Sequence, residues 1–256
     1  MSQDYPPTPE TTPPPAPPFG GAATRTVFRP YMTYFLIGIC VVVYLLQLGT
    51  QTLLGTDIPE TWGVKANDLI MQGQVWRLFT PMFLHGSIIH IAFNMYALFY
   101  IGPTLERFYG RWRYLGLFGL SGFAGNVISF MFSPYQSLGS STAIFGLLGA
   151  EGVLLYQNRE LFGNIARRAL SQVVMIAAVN LIIGLTPGID NWGHIGGLIG
   201  GTLFAWFGGP LLQKQGLYPS YTVANVRRSR EALLAGAGVG ALFFFLTIAV
   251  MFMRRG

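Results

Sequence analysis

The sequence predicts an all-α polytopic membrane protein, built as a six-helix bundle followed by a seventh, C-terminal transmembrane helix. Of its 256 residues, 52% are hydrophobic and only 10% are charged, whereas about 25% of the residues in a typical soluble domain are charged. A membrane-spanning helix needs about 20 mostly apolar residues, with a range of about 17–25. Seven stretches meet this requirement: 31–52, 86–103, 113–132, 141–157, 169–187, 192–209 and 232–253.

The spacing of these stretches divides the chain into four parts. Residues 1–30 are rich in proline, threonine and alanine, a composition that cannot bury a core, so we expect a disordered cytoplasmic tail without a cleavable signal peptide. Residues 31–209 form the predicted six-span core, which includes a long loop at 53–85. A polar cytoplasmic linker at 210–231 leads to residues 232–256, which hold the additional span.

The basic residues are distributed unequally between the two ends of the predicted helices. With the N-terminus in the cytoplasm, most Lys and Arg side chains lie on the cytoplasmic side, and the outer side holds Lys65, Arg77, Arg254 and Arg255. This asymmetry follows the positive-inside rule, so it attributes the net charge of +6 to topology, and we expect no nucleic-acid partner. We expect a multi-pass protein of a prokaryotic inner membrane, with loop 53–85 outside. The two C-terminal arginines depart from the rule if the last span crosses.

This topology places four polar residues at one depth, near the outer ends of three predicted spans. Ser141 begins one span, His194 lies in the first turn of another, and His90 and Asn94 lie four residues apart on one face of a third. Taken singly, the serine fits a helix N-cap and each of the others fits a hydrogen bond between helices. Polar groups within a bilayer are costly and are usually paired or functional. Four at one level therefore indicate a site.

The chemistry of these side chains is that of nucleophilic catalysis. A serine hydroxyl becomes a nucleophile when an imidazole within hydrogen-bonding reach removes its proton, which predicts a dyad of Ser141 and His194. The tetrahedral intermediate needs hydrogen-bond donors aimed at its oxygen. We assign this oxyanion site to the backbone N–H of Ser141, the side chains of His90 and Asn94, and Ser140.

Two acidic residues near the predicted dyad have other interpretations. Asp190 lies one turn before His194 and is interpreted as a helix N-cap rather than as a third catalytic group. Glu151 lies ten residues into its span, about 15 Å from Ser141 at 1.5 Å per residue. It is too far away for the same site, and we expect it to be hydrogen-bonded inside the bundle.

Glycine spacing favours close contact between the two spans that carry the dyad. Gly146 and Gly149 follow the serine, and the histidine is followed by overlapping GxxxG spacings at Gly196, Gly197, Gly200 and Gly201. Small residues at these intervals let helix backbones approach closely in a membrane. Such packing is also the condition for the two side chains to meet.

Together these residues resemble the rhomboid intramembrane serine proteases, over roughly residues 31–209. The GxSG nucleophile motif of the family reads GSST at 139–142, its glycine-flanked histidine reads NWGHIGG at 191–197, and its His-xxx-Asn pair reads HIAFN at 90–94. Thr142 stands where the motif has its second glycine. From its added methyl and hydroxyl groups we infer wider local helix spacing rather than inactivity.

The resemblance also implies supporting residues, a reaction and partners. It assigns supporting roles to Trp76 and Arg77 in the outer loop, Glu106 as a brace of that loop, His85 as a loop histidine, Phe145 as a ring on the catalytic imidazole, and Gly197 as a close helix contact. It implies hydrolysis of peptide bonds in or near transmembrane helices of substrate proteins within the lipid bilayer. It implies no metal and no other cofactor, and it leaves the oligomeric state open.

Two other functions remain open at this point. A catalytically inactive rhomboid-like protein would bind membrane helices without cutting them. A haem-binding electron carrier would use His90 and His194 as axial ligands, on the strength of their shared depth alone. Other classes of intramembrane protease fit poorly, because the chain has no HExxH motif and no paired membrane aspartates.

Overall fold

A computed structural model describes residues 28–216 and 221–255 of the chain, so all but the last three residues of the predicted tail 1–30 lie outside the described part. Within it the protein is a helical membrane bundle with one small sheet. The helices in chain order are α1 (Tyr31–Leu54), α2 (Ile58–Gly63), α3 (Asn67–Met71), α4 (Ile88–Tyr109), α5 (Arg111–Phe132), α6 (Ser141–Gln157), α7 (Arg159–Phe162), α8 (Asn164–Ile183), α9 (Asn191–Gly208) and α10 (Ser229–Met253).

Each predicted span corresponds to one helix of the bundle. Among the described residues, five helices are long and apolar enough to cross a membrane, namely α1, α4, α5, α8 and α10. The other two predicted spans, α6 and α9, are helices of 17 and 18 residues. Every residue of α6 from Thr142 to Ala150 is buried by protein. A helix enclosed by its neighbours does not have to reach both surfaces of the bilayer, which accounts for its shortness.

The centre of the bundle consists of α5, α6 and α9, which pack on one another more extensively than any other helices. Glycine makes this packing possible. A Cβ atom added to Gly197 would overlap the main-chain oxygen of Thr142, and one added to Gly201 would overlap that of Gly146. The backbones of α6 and α9 are therefore in direct contact, as the glycine spacing predicts.

Thr142 does not widen the spacing at this contact, and the inference from its extra atoms is wrong. The Thr142 Cβ lies 2.7 Å from the position that a Cβ atom on Gly125 would occupy. Its methyl carbon lies 2.9 Å from the position that a Cβ atom on Gly193 would occupy. The threonine side chain thus occupies space that glycines on α5 and α9 leave free. Its main-chain oxygen remains in contact with Gly197.

The last helix runs the full length of the bundle beside α5. Near its start, Arg113 of α5 donates a hydrogen bond of 3.0 Å to the main-chain oxygen of Arg227. At its end, Arg254 donates one of 2.8 Å to the main-chain oxygen of Phe130. Contacts at both ends place α10 parallel to α5. Arg254 also satisfies a carbonyl at the end of α5 that has no partner within its helix, which explains a basic residue at this end of the bundle.

The polar linker holds the one two-stranded sheet among the described residues. Strands β1 (Leu212–Gln215) and β2 (Thr222–Asn225) pair in antiparallel fashion, with Leu212 opposite Asn225. Composition alone did not predict this pairing. Asn158, at the end of α6, holds the start of the sheet, since its side-chain oxygen accepts a hydrogen bond of 2.6 Å from the Leu212 N–H.

Candidate active site

The segment before α6 presents Ser141 at the end of the bundle that carries residues 53–85, here called the loop end. Ser140 is the N-cap of α6 and makes no side-chain cap hydrogen bond, so neither serine acts as an ordinary helix cap. Gly139 has a φ of +129°, a conformation that favours glycine. A Cβ atom here would also lie 2.7 Å from His90 Nε2. The turn that exposes Ser141 therefore requires glycine for two reasons.

His194 faces Ser141 from the first turn of α9. The distance between His194 Nε2 and Ser141 Oγ is 3.0 Å. The imidazole stacks on Phe145, with ring centroids 4.3 Å apart and planes inclined by 11°. Phe145 lies one turn after Ser141 on α6, so one helix carries both the hydroxyl and the ring that sets the plane of the imidazole. The geometry is that of a hydroxyl nucleophile and its base.

Among the residues that the structure describes, no carboxylate is hydrogen-bonded to the other ring nitrogen of this imidazole. Within the described residues, His194 Nδ1 is buried and has no hydrogen-bond partner. Asp190 is instead the N-cap of α9, where its Oδ1 accepts a hydrogen bond of 3.1 Å from the Gly193 N–H. This confirms the interpretation of Asp190 as a cap. The arrangement is a pair of side chains rather than a triad.

A cavity of about 310 Å³ opens beside this pair, and its lining includes Ser141, His194, His90 and Asn94. The four residues predicted at one depth thus surround one space. Asn94 Nδ2 donates a hydrogen bond of 3.1 Å to the main-chain oxygen of His90, so its amide is directed along its own helix. It would have to rotate to serve an oxyanion.

His85 lies behind the serine segment and contacts two predicted site residues. Its Nε2 is 3.3 Å from Ser140 Oγ, and its ring meets that of His90 edge-on, with centroids 5.2 Å apart. Burial and, to a smaller extent, the neighbouring His90 lower the pKa of His85, and the Phe83 backbone partly opposes them, so that the pKa is about 4. A neutral His85 therefore holds the hydroxyl of Ser140, which is itself fully buried.

Trp76 and Arg77 hold the long loop together. The Arg77 guanidinium donates hydrogen bonds of 2.8 Å to the main-chain oxygens of Val64 and Thr61. The Trp76 indole donates one of 3.0 Å to the main-chain oxygen of Trp62. These bonds connect the start and the end of the loop, so both residues support the structure around the cavity without lining it.

The expected role of Glu106 as a brace of this loop is wrong. Its carboxylate accepts hydrogen bonds from the backbone N–H of Met32 at 3.0 Å and from the N–H and hydroxyl of Thr33 at 2.8 Å. These groups lie in the first turn of α1, where helical N–H groups lack partners. Glu106 lies about 24 Å beyond His90 along α4, and it stabilises the opposite end of the bundle.

Lys65 is a supporting residue that sequence reasoning missed. Its side chain is completely buried, and its Nζ donates hydrogen bonds of 2.9 Å to Ser129 Oγ and 2.7 Å to the main-chain oxygen of Tyr135. Burial lowers its pKa to about 8, partly opposed by Asp190. Its backbone N–H also donates a 3.0 Å hydrogen bond to the Ser137 oxygen, four residues before Ser141.

Ser129 extends this contact towards the histidine, because its hydroxyl donates a hydrogen bond to Asp190 Oδ2. A chain of polar contacts thus runs from Lys65 through Ser129 to Asp190, the cap of the helix that carries His194. We refer to these three residues as the Lys65 network. No motif predicts it, since a lysine in an outer loop ordinarily indicates a solvated charge.

The same geometry disfavours the haem hypothesis. One face of the His194 imidazole is covered by Phe145, its Nε2 is directed at Ser141, and its Nδ1 is buried. Axial ligation of iron by this residue would break its contact with the serine and its stack on the phenylalanine. The Ser–His dyad predicted from the sequence requires no such rearrangement, because its two side chains already lie 3.0 Å apart.

Comparisons with known proteins give one family. The sequence model described as Rhomboid domain matches residues 72–211. The chain is 38% identical over 219 residues to Rhomboid protease GluP of Bacillus subtilis, covering 85% of this chain and 41% of that protein. It is 33% identical over 178 residues to RHOMBOID-like protein 9, chloroplastic, of Arabidopsis thaliana, covering 69% of this chain and 41% of the relative. The chain thus spans about two-fifths of the length of these relatives.

Proposed function

We propose, since this chain belongs to the rhomboid family, that it is an intramembrane serine endopeptidase acting on transmembrane protein substrates. The observation that carries the proposal is the distance of 3.0 Å between Ser141 Oγ and His194 Nε2. The stack on Phe145 supports it further, because a base must be held in one orientation to take a proton efficiently.

The reaction that this geometry supports has two stages. His194 Nε2 takes the proton of Ser141 Oγ while the oxygen attacks the scissile carbonyl carbon, which forms a tetrahedral intermediate. Collapse of the intermediate releases the amine, which receives the proton from the imidazole. Water then attacks the acyl-enzyme with His194 again as base, and the carboxylic acid product leaves.

The negative charge on the intermediate is assigned to donors around the cavity. The backbone N–H of Ser141 lies at the start of α6, where helical N–H groups are not used by the helix itself. The side chains of His90 and Asn94 line the same cavity, and Ser140 is anchored beside them by His85. A cavity lined by such groups also admits the water that the second stage needs.

The proposal includes a location and a division of the chain. The excess of Lys and Arg at the end opposite the loop end supports a cytoplasmic N-terminus and a site that opens to the outer side, as in a prokaryotic inner membrane. Residues 31–209 would form the catalytic core with loop 53–85. The linker 210–231 would lead to α10 as an addition to that core.

Cleavage of a type I model transmembrane substrate tests the proposal, with the full chain compared with its Ser141→Ala variant in liposomes. We expect the full chain to cut the substrate and to react with a fluorophosphonate probe, and the variant to do neither. A folded wild-type protein that neither cuts the substrate nor takes the probe would instead support the non-catalytic alternative, a protein that only binds membrane helices.

A further inference from the structure

A groove lies between α4 and α8, next to the candidate active site. Helices α4 and α8 form its sides, α6 forms its floor, and its volume is about 670 Å³. Phe93, Asn180 and Ile183 line both this groove and the cavity beside Ser141. The two spaces are therefore adjacent.

The floor of the groove carries a carboxyl group. Glu151 lies three residues after Leu148, so the two share a face of α6, and both line the groove. Glu151 is half-buried and makes no side-chain hydrogen bond within the described residues. The expectation that it is bonded inside the bundle is therefore wrong.

The surroundings of Glu151 favour a basic side chain as its partner. It is the one charged side chain among the described residues that line the groove, and most of the others are apolar. An ionisable side chain within a bilayer is costly and usually marks a site that has a partner. Tyr100 and Gln172 line the same groove and offer further oxygen acceptors. A lysine ammonium group, which has three donors and no acceptor, matches such a set.

We propose that the groove binds one membrane-spanning helix of the substrate and that Glu151 pairs with a basic side chain of that helix. This inference rests on the proposed function and narrows its substrate class. Charge complementarity and the position of the groove next to the Ser141 cavity argue for it. The enzyme would thus prefer substrates whose transmembrane helix carries a basic residue that has no partner within the membrane.

The distance between the two sites sets the position of the basic residue. Glu151 lies about 15 Å below Ser141, at 1.5 Å per residue of helix. The substrate covers this distance with about ten residues as a helix or about five as an extended chain. The basic residue should therefore lie about five to ten residues from the cleavage point, on the side towards the opposite end of the bundle.

A guest-residue scan tests this inference. The full-length protein is reconstituted in liposomes with a leucine-rich model substrate of fixed cleavage sequence, and lysine replaces leucine at each position from three to thirteen residues from the cut. The measured quantity is the ratio of kcat/KM for the lysine guest to that for the leucine host. The ratio is compared between wild type, Glu151→Leu and a matched control, Glu160→Gln, whose carboxyl lies outside the groove.

We expect wild type and Glu160→Gln to favour the lysine guest over the leucine host at least tenfold at one guest position. The same preference should recur at the guest position three or four residues from it. Glu151→Leu should bring that ratio close to one. In a charge exchange, Glu151→Lys should favour a glutamate guest at the same position. A ratio that is the same in wild type and Glu151→Leu at every position would overturn the inference.

A binding measurement separates this inference from the proposed function. In the Ser141→Ala variant, a photocrosslinker beside the guest lysine should label α4 or α8, and Glu151→Leu should reduce that labelling. Labelling without any Ser141-dependent cleavage would support the groove and reject the protease. Cleavage without a lysine preference or Glu151-dependent labelling would support the protease and reject the groove.

Discussion

Lys65 donates a hydrogen bond of 2.9 Å to Ser129 Oγ from a position where its side chain has no exposure to solvent. The same serine contacts Asp190, which caps the helix of His194. The backbone of Lys65 also pairs with Ser137, in the segment that leads to Ser141. One buried cation therefore joins the long loop to both elements of the candidate dyad.

Replacement of this lysine should slow the reaction through the position of His194. We expect Lys65→Met to lower kcat at least tenfold with little change in KM. The reason is that Asp190 would lose the ammonium group to which it is connected through the Ser129 hydroxyl. It should also lower the free energy of unfolding by about 1–3 kcal/mol, since buried acceptors lose their donor. Initial rates and chemical unfolding in detergent measure the two effects.

The matched control is Lys214→Met, which removes an exposed lysine of β1 at the opposite end of the bundle. It should leave both quantities close to those of wild type. A Lys65→Met protein that is less stable but retains its kcat would show that Lys65 has only a structural role.

The amide of Asn94 gives a second prediction. Asn94→Ala should lower kcat by about 10²–10³, the usual effect of losing one oxyanion donor, with the same product. The pH dependence of turnover should keep its shape, because the amide does not titrate. Unchanged turnover would show that Asn94 only bonds to the main-chain oxygen of His90, as it does in this structure.

The depth of the polar residues could be predicted from the sequence, because span boundaries and sidedness fix the depth of a residue once each span is helical. The sequence alone therefore predicts that Ser141 and His194 lie at the same depth. Their shared level does not by itself make them touch. The glycine spacing supplied the missing condition, and Gly197 against Thr142 is where it is met.

Other residues could not be predicted because their roles depend on partners distant in the chain. Glu106 caps α1 from a position more than seventy residues later, and Lys65 bonds to groups 64 and 70 residues away. No local pattern encodes such a pairing. The prediction for Glu106 was wrong because a family resemblance indicates which residue type stands at a position but does not indicate which groups that residue contacts.

The protonation of His85 predicts a pH dependence of stability. Its pKa is lowered from 6.5 to about 4, first by burial and then by His90. A group whose pKa is lower in the folded state contributes stability that is complete above the unfolded pKa and is lost as pH falls towards the folded pKa. This loss therefore falls between about pH 6.5 and pH 4 and amounts to about 3 kcal/mol.

His85→Gln keeps a polar side chain and removes the titration. Its free energy of unfolding should fall less than that of wild type over this pH range, as measured by chemical unfolding at a series of pH values. Parallel curves for the two proteins would show that His85 does not account for the acid sensitivity. The folded state at pH 7 should be checked in both by protease resistance.

The contact between α6 and α9 gives the last prediction, which concerns Gly197. A Cβ atom at this position would overlap the main-chain oxygen of Thr142, and neither backbone can move without displacing a glycine contact elsewhere along the helix pair. Gly197→Ala should therefore separate the helices near Ser141. We expect it to lower the free energy of unfolding by about 1–3 kcal/mol, the usual cost of overpacking, and to lower kcat/KM by at least about a hundredfold.

Gly238→Ala in α10 is the matched control, because a Cβ atom there meets nothing within 4 Å and its φ is not positive. On helix propensity alone this change should stabilise the protein by up to about 1 kcal/mol. Both variants add one methyl group to a helical glycine, so a difference between them isolates the effect of the helix contact. If Gly197→Ala retained full activity and stability, the close approach of α6 and α9 would not be what holds His194 against Ser141.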